Sequence, residues 1–323
     1  MTLPAILLLG GSGFVGRALL REFARVPEGA VRVRALLRRM DAVPDHPFLE
    51  KVSGDIEHPP ADLEPTQPYV LVHFAVKQMD KDGSGYLGTN VHATAALLER
   101  LGPRLRGIIY ASSMSVYGQG EQDGIDESAP PSPDTALARS RRLAEEHIEA
   151  YARRARVPSV LLRPRFVIGE GDRFVMPAFA QLAAKNIQVG SGSQRYSVID
   201  VDDYARIIVR LTEHLAQAHQ EGNPFHVPLH VGYARPVTFA QITDALRDQA
   251  VRRGLRWRIP VSPRALRLLR RVPSPRATQM ATRLELLGLS HWGNTTALET
   301  RVGNDIVGKD PSSVLLRAAC FVR

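Results

Sequence analysis

Gly10, Gly13 and Gly16 stand three residues apart in LLLGGSGFVGRALL, between an apolar run and a helical pattern. Glycine suits that junction because a tight turn there needs unusual backbone angles. A pyrophosphate laid on the turn must also come close to the backbone, and the next helix offers it unpaired N–H groups and a positive dipole end. So placed, the pattern predicts a dinucleotide loop that includes Phe14 and Val15. The competing explanation is a tight turn with no ligand. A second set lies in TALARSRRLAEE, residues 135–146, where Leu137 and Arg141 fall one turn apart on a single helix face. That face either moves a proton beside the dinucleotide or only lines its pocket.

The residue ending the second strand selects the cofactor. An acid there binds a ribose 2′-hydroxyl, whereas an arginine accommodates a 2′-phosphate. The chain reads ALLRRM, with Arg38 and Arg39 and no acid before Asp41. This favours NADP(H) over NAD(H). The alternative is that both arginines are solvated surface charges.

The elements needed to position these residues follow from hydrophobic spacing. LPAILLL (3–9) predicts a buried strand and FVGRALLREFARV a helix. Further strands are expected at VRVRALLRR (31–39), LEKVSGD (49–55), YVLVHFAV (69–76), RGIIYASS (106–113) and PSVLLRP (158–164). Helices are expected at 86–101 and about 135–155, with a loop rich in Pro, Asp and Ser running to about 134. Strands alternating with helices argue for right-handed βαβ units and a parallel sheet that binds ligands beyond its strand ends. The expected fold is α/β, a doubly wound Rossmann sheet over residues 1–165 with a returning segment near 198–232. A smaller mixed substrate lobe takes most of 166–323. Within it VSPRALRLLRRV (261–272) reads as a lid helix with its arginines in water, in preference to a membrane-surface helix.

Composition narrows the function classes. The 323 residues are 44% hydrophobic and 23% charged, ordinary for a globular chain. No apolar stretch approaches the roughly 20 residues of a membrane span, and no basic n-region precedes the first apolar run. The single cysteine, Cys320, suits a cytoplasmic location. His214 and His219, five apart, have the wrong spacing to converge on a metal, and no metal site is expected. The net charge is +9, yet only five of the 42 basic residues are lysine. With no recognisable nucleic-acid motif, this bias is read as compositional rather than as specific nucleic-acid binding.

Several stretches in order resemble the extended short-chain dehydrogenase/reductase family, in its epimerase/dehydratase/reductase branch. GGSGFVG is similar to its nucleotide loop, and VSGDIEHP to its Gly-Asp after the third strand, which implies Asp55 and Ile56 at the adenine. LVHFAV implies that Phe74, Ala75 and Val76 pass the cofactor, and NVHATAALLE aligns Asn90. YASSMSVYG makes Ser113 the counterpart of the catalytic Ser/Thr, with Ser112 beside it. LLRPRFVIGEGD resembles Leu-Arg-Pro-x-x-Val-x-Gly and implies Pro164 and Val167 near the cofactor. The resemblance covers roughly residues 3–250.

The family carries Tyr-x-x-x-Lys on the helix after the fifth strand. Ser140 and Glu145 match its flanking residues, which puts Leu137 at the tyrosine position and Arg141 at the lysine position. From 118 to 150 there is no tyrosine and no lysine. In the family the tyrosine hydroxyl exchanges a proton as hydride passes, its pKa of about 10 lowered by the ammonium. Leucine offers no proton, while Arg141 keeps the charge and the capacity to bond ribose hydroxyls. Tyr117 is the first candidate substitute acid, ahead of Tyr110, Tyr196, Asp126 and Asp134. Sugar-nucleotide members commonly place Asn where this chain has Phe166, which weakens a diphosphate contact; Arg163, Arg165 and Arg173 leave one open. The resemblance therefore implies an atypical NAD(P)-binding epimerase, dehydratase or reductase of a sugar nucleotide or a small keto or hydroxy compound. The alternative is a catalytically impaired cofactor-binding scaffold or redox sensor. A homodimer through the helices near 86–101 and 135–155 is also implied.

Overall fold

A computed structural model describes residues 3–80, 83–118, 120–247 and 257–322. Strand β1 (Ala5–Leu9) is buried at every position, because aliphatic side chains on both faces must both be covered. The glycine bend leads into α1 (Phe14–Phe23), then β2 (Val33–Leu37), β3 (Leu49–Ser53) and β4 (Tyr69–His73). A π-helical turn at Leu87–His92 runs into α2 (Ala93–Leu98), followed by β5 (Leu105–Ala111), β6 (Gln122–Ile125), α3 (Ala136–Ala155) and β7 (Ser159–Pro164). Next come β8 (Phe166–Ile168), α4 (Val175–Ala184), β9 (Ile187–Val189), β10 (Arg195–Tyr196), β11 (Val198–Asp200) and α5 (Val201–Gln220). The chain continues through β12 (His226–Val231), β13 (Val237–Thr238), α6 (Phe239–Leu246), β14 (Trp257–Ile259), α7 (Pro263–Arg271), α8 (Pro275–Gly288) and β15 (His291–Gly293). Three short helices follow, the last at Pro311–Cys320.

The chain divides into two units. The first comprises residues 1–116, 131–163 and 201–229. Its seven-stranded sheet has the order β12-β7-β5-β4-β1-β2-β3, and parallel pairing links β7 through to β3. From β1 the order proceeds to β2 on one side and to β4 on the other. This reversal makes the carboxyl end of β1 the switch point at which such sheets bind ligands. One face is covered by Leu97, Leu98, Ala144, Ile148 and Ala152 packed on Leu7, Leu9, Leu71 and Ile108. α1 and α5 pack together, and α5 packs on β5. Gly107 permits that approach, since a Cβ there would stand 2.7 Å from Leu215 Cβ.

The second unit comprises residues 117–130, 164–200 and 230–323. It holds a mixed sheet, β13-β10-β15-β6, and two strand pairs, β11–β8 and β14–β9. Phe166, Phe179, Tyr196 and Phe239 form its aromatic centre. β6 lies inside the stretch that sequence spacing predicts as loop. The sequence QDGI is polar, and it pairs in parallel with β15, a partner some 170 residues later. Within 261–272, the helix is α7, packed with α8 around Leu266, Ala281 and Leu289. No helix among the described residues is long and apolar enough to cross a membrane.

Candidate functional site

Beyond β1, Gly10 has φ +84°, and a Cβ there would lie 2.6 Å from the Phe74 carbonyl carbon and 2.8 Å from Ala75 N. The loop after β4, which carries Phe74, Ala75 and Val76, therefore packs directly on the glycine bend, and Phe74 N donates to Leu9 O at 2.9 Å. At Gly16 a Cβ would collide with Gly10 O and stand 2.7 Å from Gly11 Cα, so α1 can start here only without a side chain. Gly13 is the N-cap of α1. It supplies no side-chain cap, and the first turn holds no acid. The helix thus presents open N–H groups and an unneutralised positive end, the chemistry a pyrophosphate needs. Phe14 and Val15 are half-buried within this turn. The residues present fit a dinucleotide.

Around the bend, Arg38 and Arg39 are exposed just after β2, and Arg39 Nε lies 3.9 Å from Asp41. The Asp55 carboxylate accepts from Glu57 N at 2.9 Å and His58 N at 2.7 Å, an Asx turn that shapes the loop after β3. Ile56 is buried in the core. Asn90, on the π-helical turn, is buried and fully engaged. Its Oδ1 accepts from Lys77 N at 2.7 Å, and its Nδ2 donates to Lys77 O at 3.1 Å and Ser140 Oγ at 2.9 Å. Ser140 Oγ in turn donates to Leu137 O at 2.8 Å. Asn90 therefore ties the loop after β4 to α3 and acts as a positioning residue.

α3 starts where the Thr135 side chain accepts from Ala138 N. Its register places Leu137 half-buried and Arg141 buried. The Arg141 guanidinium donates to Ala111 O at 3.1 Å and Ser112 O at 2.7 Å, which holds α3 against the end of β5. Its Nε, the Ser112 hydroxyl and the Tyr110 and Tyr204 hydroxyls are buried without hydrogen-bond partners among the described residues. Burial pushes both phenols above their ordinary range although Arg141 opposes it, so both stay protonated. Ser113 is half-buried and its hydroxyl accepts from Ser115 N at 3.2 Å. Deeper in, the Glu145 carboxylate takes a two-pronged contact from Arg163, at 2.9 and 2.6 Å, and joins α3 to β7. Sequence patterns flagged Glu145 and Arg163 separately; their pairing depends on tertiary structure.

In the second unit, the Tyr117 hydroxyl lies 2.8 Å from His230 Nε2. His230 Nδ1 faces Asn294 O at 3.2 Å, so Nδ1 carries the proton and Nε2 accepts from the tyrosine. Pro164 and Val167 are half-buried on β7 and β8. Phe166 is buried, its ring 5.3 Å from that of Tyr196, and Arg173 is exposed. Among the described residues no group of three or more His, Cys, Asp or Glu side chains is placed to hold a metal.

A cavity of about 740 Å³ lies at the other end of the first unit's sheet, lined by strand starts such as Ala5, Val33 and Leu49. It lies away from the carboxyl strand ends and from the N-terminus of α1, so the bend beyond β1 is the stronger site.

Comparison with known proteins agrees with this reading. The model of the NAD-dependent epimerase/dehydratase family matches residues 6–226. A UDP-glucose 4-epimerase of Vibrio cholerae is 26% identical over 232 residues, 67% of this chain and 69% of that protein. Methionine adenosyltransferase 2 subunit beta of Danio rerio is 23% identical over 300 residues, 88% of this chain and 85% of that protein. In fold, a Bacillus cereus UDP-glucuronic acid 4-epimerase solved with NAD superposes with a TM-score of 0.72 at 16% identity, covering 98% of both chains. Glycine bend, strand order and family match converge on one assignment: this chain belongs to the NAD-dependent epimerase/dehydratase family.

Proposed function

We propose that the first unit binds a nicotinamide dinucleotide and that the chain converts a sugar nucleotide by an epimerase, dehydratase or reductase reaction. The observation that carries this reading is the glycine bend, closed to any side chain at Gly10 and Gly16 and followed by an uncapped, acid-free helix start. Bound there, the nicotinamide supplies hydride exchange with a substrate carbon.

The chain's own residues then divide the work. Gly13 and the first turn of α1 take the pyrophosphate. Arg38, exposed at the end of β2 with no hydrogen bond or ion pair among the described residues, takes a 2′-phosphate, which favours NADP(H). The Ser113 hydroxyl orients a substrate oxygen. Leu137 moves no proton, and Arg141 supplies positive charge and fixes the end of β5. Tyr117 is the proton-exchanging group we favour, because His230 Nε2, which accepts its hydroxyl proton, can relay that proton as the phenol oxygen exchanges one with the substrate.

The second reading is a cofactor-binding regulatory protein. Leu137 favours it, since loss of general acid–base help lowers rates by about 10²–10⁴-fold while binding survives. Product analysis separates the two: the protein is incubated with UDP-glucose, UDP-glucuronic acid or dTDP-glucose and each cofactor. Formation of the 4-epimer or the 4-keto-6-deoxy sugar supports the enzyme. Tight cofactor binding with no product, and turnover appearing only in the Leu137→Tyr/Arg141→Lys double variant, supports the regulatory reading.

A further inference from the structure

In the second unit, Arg165 stands between β7 and β8, its guanidinium carbon 5.8 Å from the Phe166 ring centre. Phe166 packs on Tyr196, and Tyr196 is the cross-strand partner of His291. The Arg165 side chain is half-buried. Its Nε is fully buried and unpartnered, and the side chain makes no hydrogen bond or ion pair with any described residue. Other inward-facing arginines differ. Arg163 is paired with Glu145, Arg247 with Asp244 and Arg270 with Glu285. A guanidinium partly withdrawn from water, with its Nε unpartnered and no counter-charge, carries a desolvation cost that nothing among the described residues offsets.

Its neighbours cannot neutralise it. Burial holds the Tyr196 phenol protonated, and the hydroxyl donates to Leu287 O. Burial likewise drives the His291 pKa down to about 2, so its ring is neutral, with Nε2 donating to Glu285 O at 3.2 Å. Two acids of this unit are already engaged. Glu285 is bound by Arg270 and Gly120 N, and Asp123 by Arg195 and Trp292. Burial lowers the Arg165 pKa only to about 10, so the charge persists at neutral pH.

We propose that Arg165 is an anchor for an oxyanion of the substrate, a phosphate or carboxylate group seated against the Phe166 ring. This rests on the sugar-nucleotide reading and deepens it, because that class carries a diphosphate and, in uronates, a carboxylate. It also gives the chain an anion contact where Phe166 provides none.

The test compares wild type with Arg165→Met, using calorimetry and thermal melting with inorganic pyrophosphate, UDP, uridine and glucuronate. In wild type, binding of pyrophosphate and UDP identifies a phosphate source, and binding of glucuronate alone identifies a carboxylate source. The expected result is a loss of about tenfold or more in anion affinity in Arg165→Met, the scale of one charge-assisted contact. Uridine binding and cofactor affinity stay unchanged. Without ligand, Arg165→Met melts at or above wild type, because an uncompensated charge has been removed. Where that variant fails to fold, Arg165→Gln carries the same comparison. Equal anion affinity in wild type and variant, or a lowered melting temperature with unchanged affinity, overturns the proposal and makes Arg165 a structural prop. Anions that bind through Arg165 while UDP-sugars bind no better than pyrophosphate would leave the anchor standing and remove the sugar-nucleotide reading. UDP-sugars that bind wild type and variant equally would do the reverse.

Discussion

At the residue scale, the site depends on positions where little can change. Asn90, itself buried, makes three hydrogen bonds that join the loop after β4 to α3. Asn90→Ala leaves both Lys77 backbone groups without that partner and is expected to cost about 2–3 kcal/mol in urea unfolding. It should also weaken cofactor binding through the loosened Phe74–Val76 loop; unchanged stability would contradict the assigned role. His73 makes a pH prediction. It is buried, with Nε2 3.0 Å from Thr94 Oγ1, and burial alone drives its pKa down to about 3. The unfolded chain takes up that proton near pH 6.5, whereas the folded chain resists until about pH 3. The stability contributed by neutral His73 is therefore complete above pH 6.5 and is lost as pH falls towards 3. Between these limits His73 adds a slope of up to about 1.4 kcal/mol per pH unit. His73→Leu should flatten the fall in unfolding free energy between pH 7 and 4.5, and an unaltered slope would show that His73 titrates normally in the fold.

At the element scale, α3 carries Leu137 and Arg141, the face to which the proposed function assigns a role. It is fixed by the Thr135 cap, by Arg141 on the β5 carbonyls and by Glu145 on Arg163. Glu145→Ala takes the carboxylate partner from the buried Arg163 and should cost about 3–5 kcal/mol, whereas Glu145→Leu with Arg163→Met should cost much less. Chemical unfolding of the three proteins checks this, and equal losses in the single and double variants would deny the pairing. Much of this architecture was legible in the sequence. β1, β4, β5 and β7 are near-continuous apolar runs because both faces of the sheet are covered, and α3 shows its buried face every three or four residues. β6 was not legible, since its polar residues become a strand only against β15. The π-helical turn was hidden because its apolar spacing matches that of an ordinary helix. In the candidate site, glycine spacing announced the cradle, and motif order placed Ser113, Leu137 and Arg141. The engagement of Arg141 with two carbonyls and the isolation of Arg165 come from tertiary neighbours that no local pattern encodes.

At the scale of the whole molecule, the chain has two units: a parallel sheet with a glycine bend beyond β1, and a mixed-sheet unit with an aromatic centre and the Arg165 guanidinium. Cofactor choice belongs to this scale because it decides which cellular pool the protein reads. Arg38→Glu should reverse the proposed preference for NADPH over NADH by removing the proposed 2′-phosphate partner, and an unchanged preference would place selection elsewhere. All of this depends on the cradle. The most direct measurement is calorimetric titration of wild type and Gly16→Val with NAD⁺, NADH, NADP⁺ and NADPH. One dinucleotide per wild-type chain is expected, and none in a folded Gly16→Val. Wild-type protein that retains none of the four at millimolar concentration would contradict it.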